Sequence, residues 1–198
     1  MAPTQDEIGT SGSDAARLGG AALEDTARLA QIAQSLGELQ QYVALRPLEK
    51  LFAHANAAVR RGVMRACRNL YFKRTFQLIA RGLRDEDPEV YGAALEALES
   101  VHFPHAFDPL VRIFRDHEDA RVKTAALTSI GRIGTLQAGE FLIEVLRYEQ
   151  DPLRSTARRL LTNFDNAEIF PILKRYVEVE SGPARNDLLQ VLRGVPVR

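Results

Sequence analysis

The sequence DPEVYGAALEAL at residues 87–98 decides the fold, because the same pattern returns one period later as DARVKTAALTSI at residues 119–130. Two further copies are NAAVRRGVMRAC at 56–67 and DPLRSTARRLL at 151–161, and a weaker copy in phase with them is GPARNDLLQVL at 182–192. Each copy opens with a polar turn and continues with apolar residues at helical spacing. A fixed period of this kind, roughly 20 to 50 residues, indicates a repeat architecture.

The apolar residues of the five copies fall into four columns, spaced i, i+4, i+8 and i+11 along each copy. These positions lie on one face of an α-helix, so each copy predicts a helix with a continuous apolar stripe. The copies follow one another at a nearly constant interval. The columns are Val59, Val90, Val122, Leu153 and Ala184; Val63, Ala94, Ala126, Ala157 and Leu188; Cys67, Leu98, Ile130, Leu161 and Leu192; and Leu70, Val101, Ile133, Phe164 and Val195.

A second apolar column lies eleven positions before the first and predicts a shorter helix in each unit; its members are Leu48, Ile79, Val111, Leu142 and Leu173. Acidic and proline-containing turns separate the two helices, and such residues suit a helix N-terminus. One helical hairpin cannot cover its own apolar face, so the units must stack. We predict an all-α fold: an α-solenoid of about five helix-turn-helix repeats over residues 46–198, with an N-terminal capping helix in residues 21–45 and a disordered tail over residues 1–20. Ile32, Leu36 and Leu39 are expected to continue the columns into the capping helix.

The D-P-x-V turn resembles the short HEAT repeats first recognised in phycobilin lyases, since a basic residue follows the aliphatic one in four of the five units. These basic residues are Arg60, Lys123, Arg154 and Arg185, and Tyr91 replaces the fifth. The resemblance covers about residues 47–195. It implies that the second helices line the concave side and that the basic column pairs with turn acids, here Asp87, Asp119 and Asp151.

Composition excludes several classes of protein. With 45% hydrophobic and 26% charged residues, the chain is typical of a soluble globular protein. Lys+Arg and Asp+Glu both count 26, so no overall attraction to nucleic acid or anionic lipid is expected. The single cysteine and four histidines predict neither a disulfide nor a metal site, and we expect no cofactor. Residues 1–20 resemble no signal peptide and no stretch resembles a membrane span, so we expect a cytoplasmic protein.

Charge is segregated at the front of the array. Residues 58–84 contain eight Lys and Arg and no acid, whereas residues 85–100 contain six Asp and Glu and no base. Three of the arginines are spaced i, i+4, i+7 and therefore share one helix face. Two aromatic residues end the stripes of the first two units. We predict a partner-binding site for an acidic protein on the concave surface, formed by Arg61, Arg65, Arg68, Phe72 and Phe103.

A structural interpretation of the same charges stays open: Arg65 pairs with Glu96, and Arg68 with Glu99, at equivalent positions on adjacent helices. His102, His105 and His117 are predicted to be ordinary loop and turn residues. Cys67 is predicted to be a buried, inert thiol, since its column is otherwise aliphatic.

No recognised catalytic motif is present, so we predict a non-enzymatic scaffold or adaptor, bacterial by its Ala/Arg/Leu-rich composition. The runner-up, implied by the resemblance, is a phycobilin lyase-like subunit that handles a tetrapyrrole. A third possibility is a nonspecific nucleic-acid binder. The chain lacks the tryptophan of HEAT-like DNA glycosylases, and its zero net charge argues against this third reading. The oligomeric state, and any recognition role of residues 1–20, are left open.

Overall fold

The computed structural model describes residues 10–70 and 72–194, with side chains from Glu24 onward. Over these residues the regular structure is helical. The helices are α1 (Thr10–Glu38), α2 (Leu45–Leu51), α3 (Ala57–Cys67), α4 (Thr75–Gly82), α5 (Pro88–Ser100), α6 (Phe107–Asp116), α7 (Ala120–Ile133), α8 (Leu136–Tyr148), α9 (Leu153–Thr162), α10 (Ile169–Val179) and α11 (Gly182–Gly194). Short 3-10 turns, Tyr42–Ala44 and Pro104–Ala106, precede α2 and α6. The predicted all-α fold is confirmed.

Five helical hairpins stack in chain order. The first helices of the hairpins are α2, α4, α6, α8 and α10, and the second helices are α3, α5, α7, α9 and α11. Each second helix packs directly on the next one, and α1 packs on α3 at the front of this row. The first helices are more widely separated. The second helices therefore form the more closely packed row of the stack. The chain is an α-solenoid of stacked helical hairpins, as predicted.

Polar turn residues start three of the second helices. Asp87 Oδ1 accepts hydrogen bonds from the backbone amides of Glu89 at 2.9 Å and Val90 at 3.2 Å. Asn56 and Asp119 accept equivalent bonds at the starts of α3 and α7. These bonds satisfy amides that have no partner within the helix.

The predicted apolar stripe forms the core. Val90, Ala94 and Leu98 on α5 are fully buried, and the same positions on α7 are buried too. Cys67 is also buried, and burial raises the pKa of its thiol to about 12, which confirms the prediction of a buried cysteine. No further repeat covers α11 among the residues that the structure describes, and Leu192 is only half-buried. Val195, the last member of its column, lies outside the described residues.

The N-terminal helix differs in detail from its prediction. α1 begins at Thr10, within the segment predicted to be a tail, and residues 1–9 lie outside the described residues. It approaches α3 so closely that a Cβ added to Gly37 would lie 2.7 Å from the Cα of Ala66. Ile32 and Leu39, which continue the sequence columns into this helix, are 50% and 55% exposed. They stand one repeat before the buried Val63 and Leu70, but no helix precedes α1 among the described residues to cover them.

Arg60 and Arg154 of the basic column join successive units, whereas Lys123 and Arg185 contact the first helix of their own hairpin, and none of the four pairs with a predicted acid. Arg60 donates from Nε and Nη2 to the carboxylate of Asp85, both at 2.8 Å, and from Nη1 to the carbonyls of His54 and Ala55. This fork-to-carboxylate geometry is the strong form of an ion pair. The other members contact Asp187 (Arg154, 2.6 Å), the Val177 carbonyl (Arg185, 3.1 Å) and the Phe114 ring (Lys123, 5.4 Å).

Candidate partner-binding site

The predicted arginine stripe lies on α3, beside the acidic residues of α5. Arg61 forms an ion pair with Glu89, and Arg68 Nη1 lies 3.3 Å from Glu96 Oε2. Arg65 lies between them and is exposed, and its side chain forms no ion pair or hydrogen bond with any described residue. The stripe is therefore partly neutralised by its neighbour.

The observed pairs differ from the expected pairs of Arg65 with Glu96 and Arg68 with Glu99. Both observed pairs join residues 28 positions apart, as does the hydrogen bond between Tyr91 and Asp119. Equivalent positions of two stacked repeats point in the same direction. A side chain that reaches toward the next helix therefore meets a residue about one turn before its own equivalent.

The two predicted aromatic residues lie on a different surface from the arginines. Phe72 and Phe103 are half-buried in the segments that lead into α4 and α6, and both line a groove between these two first helices. None of Arg61, Arg65 and Arg68 lines it. The structure thus brings the aromatic half of the predicted site together and separates it from the basic half.

This first-helix groove, between α4 and α6, has a volume of about 1000 Å³. Its apolar surface includes Phe76 and Phe107, which are 6% and 9% exposed, and the half-buried Phe72 and Phe103. The rings of Phe76 and Phe103 meet edge to face with their centroids 6.1 Å apart. Its polar lining includes Lys73, Gln77, Arg84, Asp108, Arg112 and Asp116. The groove thus combines aromatic surface with exposed charges of both signs.

Ion pairs join the other neighbouring first helices, whereas the α4 and α6 segments meet through the rings of Phe76 and Phe103. Arg74, just before α4, lies 3.0 Å from Glu49 on α2, and Arg115 on α6 lies 3.4 Å from Glu144 on α8. Arg147 on α8 forms an ion pair with Glu180, which follows α10. Across the part of the chain that the structure describes, no ion pair or side-chain hydrogen bond joins α4 to α6. The ion pairs between neighbouring first helices are therefore interrupted at this groove.

Two of the four phenylalanines that line the groove, Phe76 and Phe107, were not among the predicted site residues. Phe72 and Phe76 are spaced i, i+4, and the same pair returns one repeat later as Phe103 and Phe107. This repeated pair is a sequence signal. The repeated pair did not reveal the groove, because the separation of α4 from α6 depends on how the repeats pack.

The histidines contribute no metal site within the described residues, where no three His, Cys, Asp or Glu side chains are grouped to hold an ion. His105 and His117 line the first-helix groove. His117 Nδ1 also accepts a hydrogen bond from the Asp119 amide at 3.2 Å, which orders the turn before α7. His102 Nδ1 lies 2.7 Å from the Ser100 carbonyl.

One family model matches the middle of the chain. Residues 76–162, from α4 to the end of α9, match the family model of HEAT repeats. This match supports the predicted HEAT-like solenoid; it does not test the more specific resemblance to phycobilin lyases. No curated protein matches the chain. None of the described helices is both long and apolar enough to cross a membrane.

Solved structures with a similar arrangement are designed armadillo repeat proteins. One, designed for modular peptide recognition, is 18% identical, with 88% of this chain and 93% of that chain covered and a TM-score of 0.43. Another, in complex with the peptide (KR)4, is 18% identical, with 88% and 92% covered and a TM-score of 0.46. At these values the similarity does not indicate what this chain binds.

Proposed function

We propose that this protein is an interaction module that holds a segment of another protein in the first-helix groove. The observation that carries the proposal is the groove of about 1000 Å³ between α4 and α6, which no ion pair of the described residues spans and which four phenylalanines line. Concave sites with apolar walls and a few polar groups are typical ligand sites. Half-buried aromatic residues also dominate the binding energy of many protein interfaces. Such a protein acts as a non-catalytic scaffold or adaptor in the cytoplasm.

Filling the groove tests this proposal. Ala80 on α4 lines the groove and is half-buried, so Ala80→Trp places an indole in the space that a partner would occupy. The matched control is Ala53→Trp, which adds the same side chain at an exposed turn that does not line the groove. Affinity purification followed by mass spectrometry compares the two variants with wild type.

We expect proteins that are recovered with wild type and with Ala53→Trp to be lost with Ala80→Trp. Circular dichroism and thermal melting establish that all three chains are folded. Recovery of the same proteins at the same levels with a folded Ala80→Trp variant would contradict the proposal.

The arginine stripe is a second candidate surface for the same function, because exposed Arg65 has no partner among the described residues. Here an acidic part of the partner would bind Arg61, Arg65 and Arg68 on the concave side. Charge reversal of these three arginines tests this surface.

The tetrapyrrole alternative also has an observation in its favour. The first-helix groove combines aromatic surface with Lys73, Arg84 and Arg112, and such cations suit the carboxylates of a bilin. Titration of the protein with a bilin tests this reading, since a bound chromophore changes its absorption spectrum. An unchanged spectrum at saturating protein would exclude it.

A further inference from the structure

We infer that the segment held in the first-helix groove is an acidic peptide segment with aromatic or aliphatic anchors, an inference that rests on the proposed function. It names the chemistry of the partner, which the shape of the groove alone does not determine. Charge, ion pairing and the apolar surface each support it separately.

The first-helix row around the groove is strongly basic, although the chain has no net charge. Residues 45–51, 73–84 and 107–116 together contain eight Lys and Arg against three Asp and Glu. The acids that balance them are elsewhere, and six of them lie within residues 85–100. A surface with one sign of charge attracts partners of the opposite sign and raises their association rate.

Three cations in the groove have no ionic partner among the described residues. Lys73, Arg84 and Arg112 are exposed and form no ion pair with any of them. By contrast, Arg74 and Arg115 of the same row are paired with glutamates of neighbouring helices. The guanidinium and ammonium groups inside the groove are therefore free to bind carboxylates of another chain.

The position of the groove acids orients the partner. Asp108 and Asp116 both lie on α6, with Arg112 between them. The charged residues that line the groove from the α4 side are both cations, Lys73 before the helix and Arg84 after it. We therefore place the carboxylates of the partner along α4, at both ends of the groove. The apolar side chains of the partner lie between these carboxylates and contact Phe72 and Phe103.

A protein segment fits this surface better than nucleic acid does. Base stacking requires an aromatic face that is open to solvent, whereas Phe76 and Phe107 are at most 9% exposed. Asp108 and Asp116 would also repel phosphates. Buried rings with half-buried neighbours instead accept the tip of an inserted side chain.

A short fluorescent peptide built from Phe, Leu, Asp and Glu serves as the probe, and fluorescence anisotropy measures its binding to the full chain. Its charge-reversed twin contains Lys and Arg in place of Asp and Glu. The test variant is Lys73→Glu with Arg84→Glu. The control variant, Arg46→Glu with Lys50→Glu, makes the same charge change on α2, at exposed residues that do not line the groove.

We expect the acidic probe to bind wild type and to bind the groove variant at least about tenfold more weakly, with a smaller loss for the α2 variant. We expect Ala80→Trp to block the probe as well. Equal binding of the two twin peptides, or equal losses in both charge variants, overturns the inference. Preferential binding of a single-stranded oligonucleotide in the groove overturns it too.

The two proposals fail in different ways. If Ala80→Trp abolishes recovery of cellular partners while the acidic probe fails to bind, the groove is a binding site and the acidic inference is wrong. If a folded Ala80→Trp variant recovers the same partners as wild type, the proposed function itself is wrong.

Discussion

The hydroxyl of Tyr91 donates a hydrogen bond to Asp119 Oδ2 with a distance of 2.6 Å. Tyr91 lies on α5 and Asp119 caps α7, so this bond joins two successive repeats. Arg121 completes the contact: its guanidinium lies over the Tyr91 ring at 5.0 Å and donates to Asp119 at 3.0 Å. Tyr91 is the one departure from the basic column, and it links its repeat to the next turn just as Arg60 does.

Tyr91→Phe removes this hydroxyl and keeps the ring. We expect the free energy of unfolding to fall by about 1 kcal/mol, because a single hydrogen bond contributes about that much. Urea denaturation measures the change. Tyr148→Phe is the control, since Tyr148 is 68% exposed. Equal unfolding free energies for Tyr91→Phe and Tyr148→Phe would show that the bond does not stabilise the stack.

The turn acids predict a loss of stability in acid. Hydrogen bonds from Arg60 hold the pKa of Asp85 below its usual value, and bonds from Arg121 and then Tyr91 lower the pKa of Asp119. A carboxyl whose pKa is lowered by folding stabilises the fold above its unfolded pKa, about 3.9, and this contribution is lost as the pH falls below it. We expect the free energy of unfolding to decline below about pH 4.

Asp85→Asn tests this origin of the acid sensitivity. The variant should be less stable than wild type near neutral pH, since Arg60 loses its charged partner, and its stability should change less below about pH 4. Asp165→Asn is the control, because Asp165 is exposed and forms no ion pair with the described residues. If the free energy of unfolding of Asp85→Asn falls as steeply in acid as that of wild type, Asp85 is not a source of the acid sensitivity.

Two helical glycines predict opposite effects of the same substitution. A Cβ at Gly37 would lie 2.7 Å from the Ala66 Cα, so Gly37→Ala must push α1 away from α3. A Cβ at Gly92 on α5 would meet nothing within 4 Å. We expect Gly37→Ala to lower the melting temperature, and Gly92→Ala to stabilise the protein by up to about 1 kcal/mol through its better helix propensity. Shifts of the same sign would contradict this account of the α1–α3 contact.

The sequence predicted the buried face of each repeat well, because helix geometry alone determines which side chains share a face. Leu98 and Ile130 stand at the same position in their repeats, and both are fully buried. Sequence did not predict which ionic partners form. Arg68 pairs with Glu96 and not with Glu99, since flexible side chains bind across a helix-helix offset that depends on packing.

The candidate site was only half predictable for the same reason. Phe72 follows α3 closely in the chain, which suggested that it shares a surface with Arg61, Arg65 and Arg68. In the structure the chain turns after α3, so Phe72 lines the space beside α4 instead. The width of that space depends on how two repeats pack, which no pattern of spacing encodes.

The arginine stripe predicts a binding effect without a large stability effect. Arg65→Glu should change the free energy of unfolding by less than about 0.5 kcal/mol, because Arg65 is exposed and has no described partner. The triple variant with Glu at 61, 65 and 68 should also lose recovery of an acidic partner in pull-downs. Unchanged recovery with the folded triple variant would exclude the stripe as a docking surface.

The outer face of α1 ends the solenoid through its polar side chains. Gln31 and Ser35 stand one repeat before Gly62 and Ala66, the α3 residues that lie against α1, and Arg28 lies on the same face one turn before Gln31. A Cβ at Gly62 would lie 3.0 Å from the Ala30 carbonyl oxygen, so close stacking needs small residues at this position. The longer side chains of Arg28 and Gln31 prevent such an approach to α1, although Ile32 beside them is half exposed.

Substitutions that restore the repeat pattern on this face of α1 should therefore cause the protein to self-associate. We expect Arg28→Val with Gln31→Ala to self-associate, because the change joins Ile32 and Leu39 into a larger apolar patch of the kind that stacked repeats bury. Light scattering coupled to gel filtration, over a range of concentrations, should give a higher mass than for wild type. Arg159→Val with Gln137→Ala makes the same changes at exposed positions elsewhere and should not alter the mass. If the α1 variant keeps the mass of wild type at every concentration, Arg28 and Gln31 are not what ends the stack.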